Sequence, residues 1–295
     1  MKEFIRNFKK QRTVGWLNIS SLSLGIMVAI VIGLWAINEL SFDRFHKNRD
    51  RIYRAAMEVN INNVPTKMAQ TFRTLGDMAK NELPAIEDMC RIVMQNEDIS
   101  IDNVLYREVG IYLTDPNFFS FFTFPLKVGD LGQALSSPDR VVISESAAQR
   151  YFPGQDPIGQ IIKLDGYDFS VSGVMKDMPK NSSMQTDFVF PFFSSWATYT
   201  WSNDRYISFF LLQKGTTADA MAEQLTQIMY KGFEPLKNAG VTFSLEALTD
   251  MHFSAGFTFE SIVKGNKSLV MIFVVTALVI EKDNKTCKTV RLFCI

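Results

Sequence analysis

Few side chains in this 295-residue sequence are able to carry chemistry. It holds two histidines, His46 and His252, and three cysteines, Cys90, Cys287 and Cys294. His252 follows Asp250 by two positions, and a histidine near a carboxylate is the arrangement of a general base with its orienting partner. Such a pair needs a nucleophile or a metal beside it. The sequence has no Gly-x-Ser-x-Gly elbow, no His-Glu-x-x-His pair and no Gly-x-x-x-x-Gly-Lys-Ser/Thr phosphate loop. Cys90 stands far from the other cysteines and offers neither a disulfide framework nor a metal-ligand spacing. Glu87-Asp88 and Glu97-Asp98 read as solvated polar turns. The residues therefore predict no enzyme activity, no metal and no cofactor. Lys and Arg balance Asp and Glu at 31 each, so nothing suggests nucleic acid as a partner of the chain as a whole.

The elements that carry these side chains begin with a hydrophobic one. Between Arg12 and Glu39 the 26 residues from Thr13 to Asn38 bear no charge. A helix rising about 1.5 Å per residue crosses a hydrocarbon core of about 30 Å with roughly 20 apolar residues. The run is long enough, and Leu24 to Ile37 has the composition of a lipid-facing helix. Lys2, Arg6, Lys9, Lys10 and Arg12 outnumber Glu3 ahead of it, so the N-terminus is expected in the cytoplasm and Ser41 onward outside. Arg12 and Glu39 bracket the span, and Trp16 and Trp35 sit where aromatic rings favour the headgroups. A cleaved signal peptide would need an apolar core of about 7–15 residues and a small-residue cleavage site. This run is longer and leads into Trp35, Leu40 and Phe42, so an uncleaved anchor is expected. Phe4, Ile5 and Phe8 fall on one helical face, away from Arg6, Lys9 and Lys10. That suits a helix in the inner headgroup layer, and equally a plain basic topology signal.

Glu39 to Arg54 is dense in charge of both signs and reads as the exit of the helix into water, then a linker. Arg51 to Ile61 has strand character, with Pro65 expected to break it. Lys67 to Leu83 carries helical spacing at Met68, Phe72, Leu75, Met78 and Ala79, and Pro84 ends it. Strands are expected at Cys90–Gln95, Asp98–Asn103 and Leu105–Leu113. The phenylalanine-rich knot from Pro116 to Pro125 reads as a core plug. Val141–Ile143 predicts a strand, and Ser144 caps a helix over Glu145–Phe152. Ile161–Leu164 and Phe169–Met175 form a hairpin around Asp165-Gly166. Phe188–Phe193 and Ile207–Gln213 read as strands. Thr216 caps a helix through Lys231 whose buried stripe is Met221, Leu225, Ile228 and Met229. Val241–Leu245 is the last strand. Together these predict an α+β domain, large enough for a packed core and well supplied by the 25 phenylalanines.

Several of these stretches resemble a known family. After the first hydrophobic helix comes Asn38-Glu39-Leu40-Ser41-Phe42-Asp43-Arg44-Phe45-His46, leading to Arg51-Ile52-Tyr53-Arg54. Further matches are Thr114-Asp115-Pro116-Asn117-Phe118-Phe119, Val141 to Glu145 with Ala147 and Tyr151-Phe152, Asp156-Pro157-Ile158-Gly159, and Val174 to Ser182. The order is similar to that in MacB/FtsX-type ABC transporter permeases, particularly the form common in Bacteroidetes-like bacteria, and runs from about Lys2 to Ala277. The resemblance implies a MacB-like periplasmic core domain in the bacterial inner membrane. It further implies a separate cytoplasmic ABC ATPase subunit, a permease homodimer and a periplasmic adaptor as partners. The work implied is ATP-driven motion of the outer domain or export of a peptide, antibiotic or lipoprotein. The expected layout is a cytoplasmic basic segment at 1–13, membrane helix at 14–40, periplasmic α+β core at 41–264, start of a second membrane helix at 268–280, and polar tail at 281–295.

That second helix departs from the pattern. The 13 uncharged residues between Lys267 and Glu281 reach only roughly 20 Å at about 1.5 Å each. The tail from Glu281 to Ile295 is polar and basic and resembles nothing in the family. A helix cut short by a frameshift or gene-end artefact is the expectation, with Leu269–Ile280 either inserted with snorkelling lysines or forming an interfacial or poorly ordered hydrophobic end. Two readings of function stay open: the N-terminal part of a permease, and a single-pass membrane-anchored sensor or binding module. A membrane-tethered enzyme is the third and weakest.

Overall fold

In this computed structural model residues 12–192, 205–258, 260 and 262–276 are described. The expectations for residues 1–11 and 277–295, including Cys287 and Cys294, and for Phe193, lie outside the described residues. The chain divides into two compact units, Met1–Phe42 with Gly265–Ile295, and Asp43–Lys264.

In the first unit α1 spans Arg12–Leu40. Its portion Ile19–Leu40, 22 residues, is long and apolar enough to cross a membrane. Trp16 is exposed, and the Trp35 ring meets Phe273 edge-on at 5.4 Å. Phe273 belongs to a second apolar helix, Lys267–Thr276. It is capped by Asn266, whose Oδ1 accepts the Leu269 N–H at 3.0 Å.

The second unit opens with β1 (Ile52–Ile61) and β2 (Val64–Met68), then α2 (Arg73–Glu82), β3 (Ile86–Ile101) and β4 (Val104–Thr114). The β1–β2 and β3–β4 hairpins turn on Asn62-Asn63 and Asp102-Asn103, all four at positive φ. Two-residue hairpins favour this backbone because its twist matches that of the strands. Pro65 does not break the strand run; it sits in β2 opposite Asn60, and the expected helix from Lys67 starts only at Arg73. The expected strands Cys90–Gln95 and Asp98–Asn103 are one 16-residue strand with a bulge between Gln95 and Glu97. Glu87-Asp88 and Glu97-Asp98 therefore lie in a strand and not in turns.

Next come α3 (Phe118–Phe121), β5 (Leu126–Val128), β6 (Arg140–Ser144) and α4 (Glu145–Tyr151). Ser144 caps α4 as expected, its side chain accepting from the Ala147 N–H. The strands β7 (Ile161–Leu164), β8 (Tyr167–Met175), β9 (Phe188–Pro191) and β10 (Ile207–Leu212) follow. Then α5 (Ala218–Gly232) buries Met221, Leu225, Ile228 and Met229, the predicted stripe. Its N-cap is Thr217, without a side-chain cap bond, not Thr216. The unit closes with α6 (Pro235–Asn238), β11 (Thr242–Ala247), a 3-10 turn (Leu248–Phe253) and β12 (Phe257–Thr258).

Among the described residues the strands form one mixed twelve-stranded sheet in the order β12-β2-β1-β10-β3-β4-β9-β6-β8-β5, with β11 beside β1 and β7 beside β3 and β8. Three cores are packed against it. One joins α2 and α5 to β1, β10 and β11. Another fills the space between α4 and strands β6 to β9. The third is built from the plug residues Phe118, Phe119, Phe121, Phe122 and Phe124 with Ile52, Tyr112, Phe209, Leu248 and Met251.

Candidate functional site

The stretch from Phe42 to His46, expected as a solvated linker, is folded into the structure. Phe42, Asp43 and His46 are buried, while Arg44 is exposed. The charges in this stretch suggest a linker, yet Asp43 and His46 are buried, Phe45 is half-buried and Arg44 is exposed. Asp43 takes a left-handed φ of 56°, which aspartate tolerates better than most side chains.

Asp43 is held by the turn Pro179–Met184. Its N–H donates to the Asn181 carbonyl at 2.9 Å, and its Oδ1 accepts from the Ser183 N–H at 2.9 Å and the Ser182 hydroxyl at 3.3 Å. Burial raises the Asp43 pKa, against the lowering effect of these serine bonds and the nearby His252. The far end of the unit reaches the same turn: the Val263 N–H donates to the Ser183 carbonyl at 3.3 Å. The Val263 carbonyl pairs with His252 Nδ1 at 3.0 Å, which places a proton on that nitrogen.

His46 closes onto the plug. Its Nδ1 accepts the Thr123 N–H at 3.1 Å, and the Lys47 N–H donates back to the Thr123 hydroxyl at 2.9 Å. Phe45, Phe122 and Phe124 surround the ring with centroids at 4.1, 5.6 and 5.0 Å. Burial lowers its pKa to about 4, so the imidazole is neutral at physiological pH.

Two ion networks secure the surroundings. Fully buried Arg54 pairs with Glu246 on β11 and with Glu260, and its guanidinium lies 4.5 Å from the Phe257 ring centre. Lys264 joins Glu260 at 3.0 Å and reaches the Met251 carbonyl and Ser254 hydroxyl at 2.6 Å each. On β3, Arg91 takes Asp115 in a fork at 2.8 and 2.9 Å and Asp77 at 3.0 Å. Burial alone would lower the Arg91 pKa, but the two carboxylates outweigh it and hold it above its usual value.

The expected site residues thus fall into three places. Asp43, Phe45, His46, Phe118 and Phe119 come together at the plug and its turn. Asp115 clamps Arg91 beside it, and Pro116 is exposed where the chain leaves for α3. Asp156, Pro157 and Gly159 lie elsewhere, in a turn where Asp156 Oδ1 accepts the Ile158 N–H at 3.0 Å. Gly159 takes a φ of 82° there and donates to the Val171 carbonyl. Ser182, Ser183 and Arg54 carry bonds that the sequence pattern assigns no role. A signal for Arg54 exists in the sequence: it shares a strand face with Ile52 and Ala56, and a charge on a buried face requires partners. Cys90 is buried, and burial pushes its thiol pKa up. Among the described residues no three His, Cys, Asp or Glu side chains are grouped to hold a metal ion.

The site is a set of clasps on the two ends of a mixed α/β domain that follows an apolar N-terminal helix. The sequence profile of the MacB-like periplasmic core domain matches residues 16–228, and the chain belongs to that family. Its members are periplasmic domains of ABC-type transporter permeases, which are not themselves enzymes and generally work with a cytoplasmic ATPase. Among solved structures, the chain is similar to a domain of a protein described as a permease from Porphyromonas gingivalis, with 22% identity and a TM-score of 0.60 over 78% of this chain and 98% of that one. It is also similar to the periplasmic region of MacB from Actinobacillus actinomycetemcomitans, at 15% identity and a TM-score of 0.47, covering 67% of this chain and 90% of that one. A third is the extracellular domain of the noncanonic ABC-type transporter YknZ from Gram-positive bacteria, at 11% identity and a TM-score of 0.48, covering 66% and 99%. No curated protein matches the chain.

Proposed function

We propose that this chain is the anchor and periplasmic transmission part of an ABC transporter permease. In this reading α1 lies in the bacterial inner membrane with its N-terminus in the cytoplasm, and the Asp43–Lys264 unit stands in the periplasm. The proposed segments are 1–13 cytoplasmic, 14–40 membrane-spanning, 41–264 periplasmic and 268–280 entering the membrane again. A separate cytoplasmic ATPase supplies the energy, two permease copies work together, and the cargo is a peptide, antibiotic or lipoprotein, with a periplasmic adaptor as a further partner. The family match carries the reading, because it extends from Trp16 in the apolar helix to Ile228 in the folded unit. The clasped ends of that unit support it, since a lever must be gripped firmly where force is applied.

The test is capture of an ATPase. The protein, purified from membranes of cells that also express a candidate cytoplasmic ABC ATPase, is expected to retain that subunit through gel filtration. Failure to bind any such ATPase overturns the reading and favours a single-pass sensor or binding module.

A further inference from the structure

We propose that Asp43 and Ser183 form a latch joining the leading segment of the second unit to its closing segment, so that a displacement of one is carried to the other. This latch presupposes the transmission role proposed above and names the residues through which motion would pass.

Ser183 is bound on both sides of its own backbone. Its N–H donates to Asp43 Oδ1 at 2.9 Å, and its carbonyl accepts the Val263 N–H at 3.3 Å. Asp43 is the first residue of the unit and Val263 the last but one. The circuit continues through the Val263 carbonyl to His252 Nδ1 at 3.0 Å. Asp43, Ser182 and Ser183 are each at most 1% exposed, so water does not compete for these bonds. Tyr112 from β4 faces the same carboxylate and donates nothing to it; its hydroxyl accepts the Gln185 N–H at 3.0 Å.

Asp43 is held there at a cost. Its backbone is left-handed, its carboxylate is buried, and its Oδ2 has no hydrogen-bond partner among the described residues. Such a conformation persists only where its surroundings over-determine it. Here Asn181, Ser182 and Ser183 do so together. Because coupling is reciprocal, loosening the closing segment must also loosen the leading one.

Hydrogen exchange on the full chain in detergent micelles tests this. D43A is expected to speed exchange at least tenfold at residues 43–47 and also at 262–264, leaving β6 to β8 unchanged. D43N keeps an Oδ1 acceptor for Ser183 and is expected to restore both segments to near wild-type protection. V263P removes the closing segment's donor and is expected to speed exchange at the Asp43 and Ser183 amides. If D43A frees the leading segment while 262–264 keep their protection, the latch is refuted. Should D43A unfold the unit, visible as lost protection in β6 to β8, V263P decides: unchanged exchange at Asp43 and Ser183 refutes it. These measurements need no ATPase, so a permease that fails to capture one overturns the transmission role without altering the exchange result.

Discussion

Acid should unfold the second unit through His46. The imidazole is 1% exposed, enclosed by three phenylalanine rings, with Nδ1 taken by the Thr123 N–H. Its pKa is about 4 in the fold against 6.5 for the ordinary side chain. The folded value lies below the unfolded one, so the stabilisation is present above pH 6.5 and is lost as pH falls towards 4. At pH 5 the unfolded histidine is almost fully protonated while the folded one stays neutral. Each pH unit crossed between the two pKa values removes about 1.4 kcal/mol, so the second unit should lose about 2 kcal/mol between pH 7 and pH 5, and about 3 kcal/mol by pH 4.

Asp43 works in the opposite direction. Its pKa is raised by burial, so whatever stability its titration contributes is present at low pH and lost as pH rises through the raised value. The His46 contribution must therefore be isolated by difference. His46→Asn keeps an acceptor near the Nδ1 position and does not titrate. Urea unfolding of the detergent-solubilised chain, read by pulse proteolysis, gives the two stabilities across the pH range. With a slope of about 2 kcal/mol per molar urea, the wild-type midpoint should fall about 1 M further than that of the variant between pH 7 and pH 5. Parallel pH dependences would refute the reasoning, showing that the pocket admits water to the imidazolium.

Two further substitutions probe the same region at neutral pH. Phe122→Ala removes a ring with neighbours at 4.9, 5.1 and 5.3 Å in Phe121, Phe209 and Phe118. It should cost about 3–5 kcal/mol in urea unfolding, whereas Val109→Ala, at a site 74% exposed, should stay within about 0.5 kcal/mol. Asp115→Ala strands most of the charge of Arg91 and should cost about 3 kcal/mol, while R91M/D115L, which buries apolar groups instead, should recover most of that loss.

What the sequence reveals here is local, and what it hides is long-range. The cap at Ser144, the hairpin at Asp165-Gly166 and the buried stripe of α5 each depend on residues close together in the chain. The plug was legible because five phenylalanines in seven positions have nowhere to go but inward. The role of Phe42 to His46 was hidden, because its charges suit a linker and its partners, Thr123 and Ser183, lie far along the chain. The same holds for β12, two residues whose strand pairing is to β2 from the opposite end of the unit. The bulge that joins the expected strands at Gln95 and Glu97 depends on the partner strand β4 and carries no mark of its own.

The topology gives a reason for the clasps to sit where they do. The first strand of the unit, β1, pairs directly with its last long strand, β11, from Tyr53 opposite Ala247 to Glu58 opposite Thr242. The pairing is antiparallel, so the residues before Tyr53 and those after Ala247 emerge at one end of the sheet. Everything between is an excursion that returns to its origin. Arg54 reinforces this end from within by binding Glu246 in β11 and Glu260 in the closing segment. Asp43 and Val263 then meet at Ser183, which belongs to neither segment. A domain built this way can be moved by its two ends without being pulled apart, because force on either one reaches the sheet through the β1–β11 ladder and the Arg54 network together.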